Sequence, residues 1–96
     1  MLTSKQKRFL KSKAHELKPI FQVGKEGVNE NMIKQINEAL EKRELIKISV
    51  LQNCLEEKED VAEQLGEGTS AEVVQIIGSV IVLYKESIEH KTLQLP

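Results

Sequence analysis

The run SVIVLY, Ser79 to Tyr84, is nearly unbroken in apolar residues. A strand of that composition cannot turn either face to water, so it belongs in the middle of a sheet with both faces covered. EVVQII, Glu72 to Ile77, stands just before it across Gly78, and the pair predicts a hairpin. LIKISVL, Leu45 to Leu51, is rich in β-branched residues; Ile46, Ile48 and Val50 alternate with Lys47 and Ser49, as in a strand with one wetter face. IFQV, Ile20 to Val23, is a fourth, short strand.

Between these strands the apolar residues recur with helical period. Leu10, Ala14 and Leu17 fall at i, i+4 and i+7, Phe9 widens their stripe, and a helix is predicted from Ser4 to Lys18 with Pro19 ending it. Met32, Ile33, Ile36 and Leu40 predict a second helix over Asn29 to Glu44, with Asn29 as N-cap. A third, strongly acidic, is predicted from Leu55 to Leu65; Val61, Ala62 and Leu65 form its buried side and Gly66 and Gly68 its stop. The tail from Lys85 to Pro96 leaves two alternatives, an edge segment at KTLQLP or a loose end. The order αβαβαββ implies an α/β (α+β) fold, a mixed four-stranded sheet with helices packed on it. At 96 residues it is read as a single domain, 1–96.

The chain contains no apolar run long enough to cross a bilayer, and MLTSKQKRFLKSK lacks the apolar segment of a secretory signal. Its lone cysteine, Cys54, fits a reducing compartment, and the expected location is the cytoplasm. The net charge of −1 hides an uneven distribution. Residues 1–25 carry seven basic groups against Glu16, a net +6, whereas residues 26–96 carry a net −7. At 100° per residue Lys5, Arg8, Lys11 and Lys18 share an arc roughly opposite the Leu10 stripe. Such a face is a footprint for polyanions, or a solvated lysine-rich surface.

That basic segment leads into VGKEGVNENM, Val23 to Met32, where Gly24 and Gly27 flank Lys25 and Glu26 ahead of a helix start. Glycines there let backbone N–H groups approach a phosphate; the same pattern also serves an ordinary strand-to-helix turn. Nucleotide motifs fail. Gly24-Lys25 is followed by Glu26 and has Pro19 where a Walker loop needs its first glycine, and GxxG is only a fragment of GxGxxG. A GxxG loop does clamp nucleic-acid backbone in the KH module. Phe9, Phe21 and Tyr84 are the only aromatics, too few for a base-stacking platform. Recognition would therefore rest on charge and shape, with about four to six phosphates neutralised and a log–log salt slope of about −3 to −4. His15, His90 and Cys54 form no catalytic motif, no Cys or His pair has metal-ligand spacing, and neither cofactor, metal nor small-molecule substrate is expected.

The runs KQKRFLKSKAHELKPIFQVGKEGV, ALEKRELIKISV and EVVQIIGSVIVLY, with a closing LQLP, resemble the CRM domain (chloroplast RNA splicing and ribosome maturation) in its stand-alone bacterial YhbY-like form. The resemblance covers nearly the whole chain in order. It implies a fold similar to the C-terminal domain of translation initiation factor three, no enzymatic activity, and association with ribosomal RNA of large-subunit precursors. It implies RNA contacts from Lys5, Arg8 and Lys11, with Lys18 near the end of that face, and from the loop residues Gly24, Lys25, Glu26 and Gly27. Ser79 and Arg43 stand where the family often has a basic residue and a histidine, and Glu26 puts a negative charge in the loop itself. The alternative is a protein-interaction module in which the acidic region from Glu56 to Glu72 docks a basic ribosomal protein.

Overall fold

In the computed structural model, which describes residues 2–96, the elements are α1 (Ser4–Ala14), β1 (Phe21–Val23), α2 (Glu30–Arg43), β2 (Leu45–Val50), α3 (Lys58–Thr69), β3 (Glu72–Ile77) and β4 (Val80–Tyr84). The four strands form one mixed sheet in the order β1-β2-β4-β3. β1 runs parallel to β2, and β4 is antiparallel to both neighbours. The apolar strand is thus central, as its composition requires, and Ile77 pairs with Val80 across Gly78 and Ser79.

Alternation along the strands divides the interior into two layers. Ile46, Ile48, Ile81 and Leu83 face α2 and α3, meeting Ile36, Leu40, Val61 and Leu65. Leu45, Val82 and Tyr84 face the other way, meeting Leu10 and Ala14 of α1. A bulge between Val73 and Gln75 shifts the alternation, so that Val73 and Ile76, three residues apart, both join the first layer while Val74 joins the second. Lys47, expected on a wetter face, is half-buried there and its Nζ donates to the Leu17 carbonyl at 3.1 Å.

Three boundaries differ from the sequence reading by more than one residue. α1 stops at Ala14 instead of Lys18: Glu16 and Leu17 N–H donate to carbonyls only three residues back, so the last turn tightens well before Pro19. Leu55 lies outside α3 and is exposed. Gly66 and Gly68 lie inside α3, where they permit close packing. A Cβ on Gly68 would stand 2.6 Å from Ile33 Cδ1 and 3.1 Å from its Cγ1, so α2 and α3 approach too closely for a side chain there unless Ile33 shifts. The helix ends at Ser70, in the left-handed region at φ 59°.

The tail takes neither expected form. It has no regular structure, yet it is tied down by two carboxylates of the α2 end. Glu44, fully buried, accepts the N–H groups of Ser87, Thr92 and Leu93 at 2.7–2.9 Å. Glu41 accepts those of Ile88 and Glu89 at 3.0 and 2.9 Å and the Ser87 hydroxyl at 2.8 Å. Leu93 and Leu95 then pack on the α1 layer, and Gln6 Nε2 donates to the Pro96 carbonyl. No helix among the described residues is long and apolar enough to cross a membrane.

Candidate nucleic-acid interface

α1 owes its start to a reciprocal cap: Thr3 accepts the Gln6 N–H while Gln6 Oε1 accepts the Thr3 N–H. With Leu10 and Ala14 buried, the remaining arc is solvent-facing; Lys5 and Arg8 are exposed and Lys11 half-buried. No acidic residue stands in its first turn. Lys13 lies over the Phe9 ring, 5.6 Å from its centroid, a contact that holds its ammonium close to the helix surface. Lys18 is exposed but lies in the irregular segment between α1 and β1, so it does not extend the helical face.

The GxxG segment folds as a tight turn. Gly27 N–H donates to the Gly24 carbonyl at 3.0 Å, which engages the amide that a phosphate would otherwise take. Gly27 is buried at φ 69°, and a Cβ there would meet Glu56 Oε2 at 2.7 Å. Lys25 and Glu26 are exposed at the tip, while Gly24 is half-buried beside Asn53. Asn29, the expected N-cap, accepts the Met32 N–H at 2.9 Å and so occupies one free donor of α2. The carboxylates of Glu26, Glu30 and Glu56 lie on or next to this turn in the chain or in space, leaving Lys25 as its cation.

Sheet register sets the packing residues of α1 apart from the glycine turn. α1 packs on Leu45, Val82 and Tyr84, and Leu45 pairs with Tyr84 at one end of β2. The glycine turn follows Val23, which pairs with Val50 at the other end. Five residue-to-residue steps of strand, about 17 Å, separate the ends. Charge also divides across the sheet. Glu59, Asp60, Glu63 and Glu67 are exposed on α3, on the side away from α1, and Lys58 beside them donates to the Gly78 carbonyl at 2.7 Å.

Sequence reasoning missed Glu41 and Glu44, whose partners lie more than forty residues on. Burial by itself would raise the Glu44 pKa, but the N–H groups of Ser87, Thr92 and Leu93 hold it below the ordinary carboxylate range. The N–H of Ile88, then those of Glu89 and the Ser87 hydroxyl, lower Glu41 to about 2. It also passed over Lys42 and Arg43, which end α2 beside Lys13. Among the described residues no cluster of His, Cys, Asp and Glu is arranged to hold a metal.

A family model described as the CRS1 / YhbY (CRM) domain matches residues 2–85. The chain is 71% identical over 96 residues to the Probable RNA-binding protein YqeI of Bacillus subtilis, covering 100% of both. It is 41% identical to an RNA-binding protein of Haemophilus influenzae, covering 99% of this chain and 95% of that one. The solution structure of the hypothetical protein SAV1595 from Staphylococcus aureus superposes with a TM-score of 0.83 at 60% identity, covering 100% of each chain.

Proposed function

The chain belongs to the CRS1/YhbY (CRM) domain family, and from that premise we propose that it binds RNA, gripping the phosphate backbone of structured ribosomal RNA in large-subunit precursors. The observation that carries this reading is the solvent-facing cationic side of α1, with Lys5 and Arg8 exposed, no acidic residue in the first turn, and the acidic helix placed across the sheet. Names of relatives at 71% and 41% identity support it. Phosphate contacts position an RNA without reading its bases, so little sequence preference is expected. Lys5, Arg8 and Lys11 make the principal contacts, with Lys18 beyond them. The turn from Gly24 to Gly27 adds Lys25 and the free amides of Lys25 and Glu26. A few nucleotides of RNA bridge the length of β2 between the two patches. The protein acts in the cytoplasm as an assembly factor, and we assign it no reaction.

Ultraviolet crosslinking in cell extract, followed by sequencing of the attached RNA, tests the assignment. Enrichment of large-subunit precursor RNA is the expected result. Enrichment of unrelated RNAs would overturn the ribosomal part, and absence of crosslinked RNA would overturn the whole. A second reading, docking of a basic ribosomal protein on the region from Glu56 to Glu72, is favoured by a groove between α2 and α3 in which Glu30 and Glu67 rim Val28 and Ile33. It uses the opposite face of the sheet, so substitutions on α1 leave it intact.

A further inference from the structure

The sheet end that carries Leu45 bears a feature that shares only Lys18 with the helix-and-loop interface. One groove there has Lys13, Lys42 and Arg43 around Leu17, Leu45 and Leu93. A second continues it past Arg43 and Leu17 to Lys18. A third extends it along Lys13 to Phe9 and Thr92. Through their shared walls the three form one furrow, with the α1 end on one side and the α2 end on the other.

Four cations line it, Lys13, Lys18, Lys42 and Arg43, and none forms an ion pair among the described residues. A fifth, Lys91, is already paired with Glu86 at 2.9 Å. Glu16 is the one acidic residue lining these grooves. Lys42 and Arg43 complement the negative end of the α2 dipole, yet both side chains are exposed and remain available to a ligand. The floor is apolar. A bare anion gains nothing from leucine, whereas an RNA strand sets phosphates on cations and sugar and base faces on apolar side chains.

We propose that this furrow is a second RNA-contacting site, which takes the phosphates of a single-stranded segment on Lys13, Lys18, Lys42 and Arg43. The proposal rests on the RNA-binding reading above and extends it around the sheet end. One wall depends on the tail: Thr92 and Leu93 stand there because the Glu44 carboxylate accepts their N–H groups, which makes Glu44 a positioning residue for the site.

The test is fluorescence anisotropy with a fluorescein-labelled, mixed-sequence single-stranded RNA, on wild type, Lys42→Gln/Arg43→Gln, Lys42→Gln alone, and Lys34→Gln as a charge control outside the furrow. Each lost phosphate contact removes about 0.7 from the salt slope, so the double variant flattens it by about 1.4 and binds about 25-fold more weakly at 0.1 M salt. Lys42→Gln, at an exposed residue that the helix-and-loop reading does not use, binds about fivefold more weakly and decides the same question if the double variant is not folded by circular dichroism. Lys34→Gln stays within about twofold of wild type. Unchanged affinity in both furrow variants, with binding still weakened by substitutions on α1, would overturn the furrow and leave the helix reading standing. A wild type that does not bind RNA would overturn both. Displacement of the RNA by inorganic phosphate at matched ionic strength would also overturn it, because the furrow would then be a bare-anion site.

Discussion

The carboxylate of Glu44 accepts the backbone N–H of Leu93 at 2.9 Å, joining the α2–β2 junction to the chain's last residues. Glu44 itself sits at φ 65°, a conformation that costs an ordinary residue about 1–3 kcal/mol. Its N–H still donates to Leu40 and its carbonyl accepts from Lys85, so backbone and side chain together hold the strained turn. The tail it secures walls the basic furrow and covers the α1 layer with Leu93 and Leu95.

Replacing Glu44 with glutamine keeps one acceptor oxygen and sets an NH2 group against N–H donors. Hydrogen bonds to a buried charge contribute about 1.5–3 kcal/mol. Glu44→Gln is therefore expected to lower stability by about 2–3 kcal/mol, read as a lower urea midpoint at similar m-value. A midpoint within error of wild type would show that the tail bonds contribute nothing.

Acid should release the tail before it unfolds the core. Glu41 is lowered from an ordinary 4.5 to about 2, and Glu44 is lowered as well. A depressed carboxylate stabilises the fold fully above its unfolded pKa, and that contribution disappears as pH falls through the folded value. Between about pH 4.5 and 2, the amides of Ile88 and Glu89 are expected to lose protection from hydrogen exchange ahead of those of Ile81 and Leu83. Simultaneous loss would contradict the clamp.

Gly68→Ala tests the α2–α3 approach. Alanine gains about 1 kcal/mol of helix propensity, but its Cβ would meet Ile33 Cδ1 at 2.6 Å and Cγ2 at 3.3 Å. Overpacking of this kind costs about 1–3 kcal/mol, so a net loss of about 1 kcal/mol is expected. Ile33→Ala should be better tolerated in the Gly68→Ala background than in wild type, measured as a double-mutant cycle. Additive effects would mean the helices part freely.

At the glycine turn, Lys25→Gln is expected to weaken RNA binding about fivefold at 0.1 M salt, the loss of one phosphate contact. Glu26→Gln should strengthen it by removing a repelling charge. If neither changes affinity, the turn is a strand-to-helix connection without an RNA role.

The framework of the fold was legible in local pattern. SVIVLY announced a central strand, the 3.6 period announced each helix, and Gly78 announced the hairpin. What misled were residues with two physical uses. Gly66 and Gly68 carry the signature of a helix stop, but here the missing Cβ serves packing between helices that only the tertiary fold brings together. Pro19 signals a stop, and the helix tightened and ended earlier. The tail was illegible because its partners are carboxylates of α2, and periodicity carries no trace of contacts across more than forty residues. The cations on α1 were read from their arc, while Lys42 and Arg43 fall on no such arc and gain a common surface only where the fold sets them beside Lys13.

RNA gripping by α1 is tested most directly by the salt dependence of RNA affinity for wild type and for Lys5→Gln/Arg8→Gln/Lys11→Gln, with circular dichroism to establish that both are folded. The expected result is a wild-type log–log slope of about −3 to −4 from the helix and turn contacts, steepened to about −5 to −6 by the furrow, and flattened by about 2 in the triple variant with a matching loss of affinity. A triple variant that binds with wild-type affinity and slope would contradict it, since RNA would then be held by some surface other than the cationic side of α1.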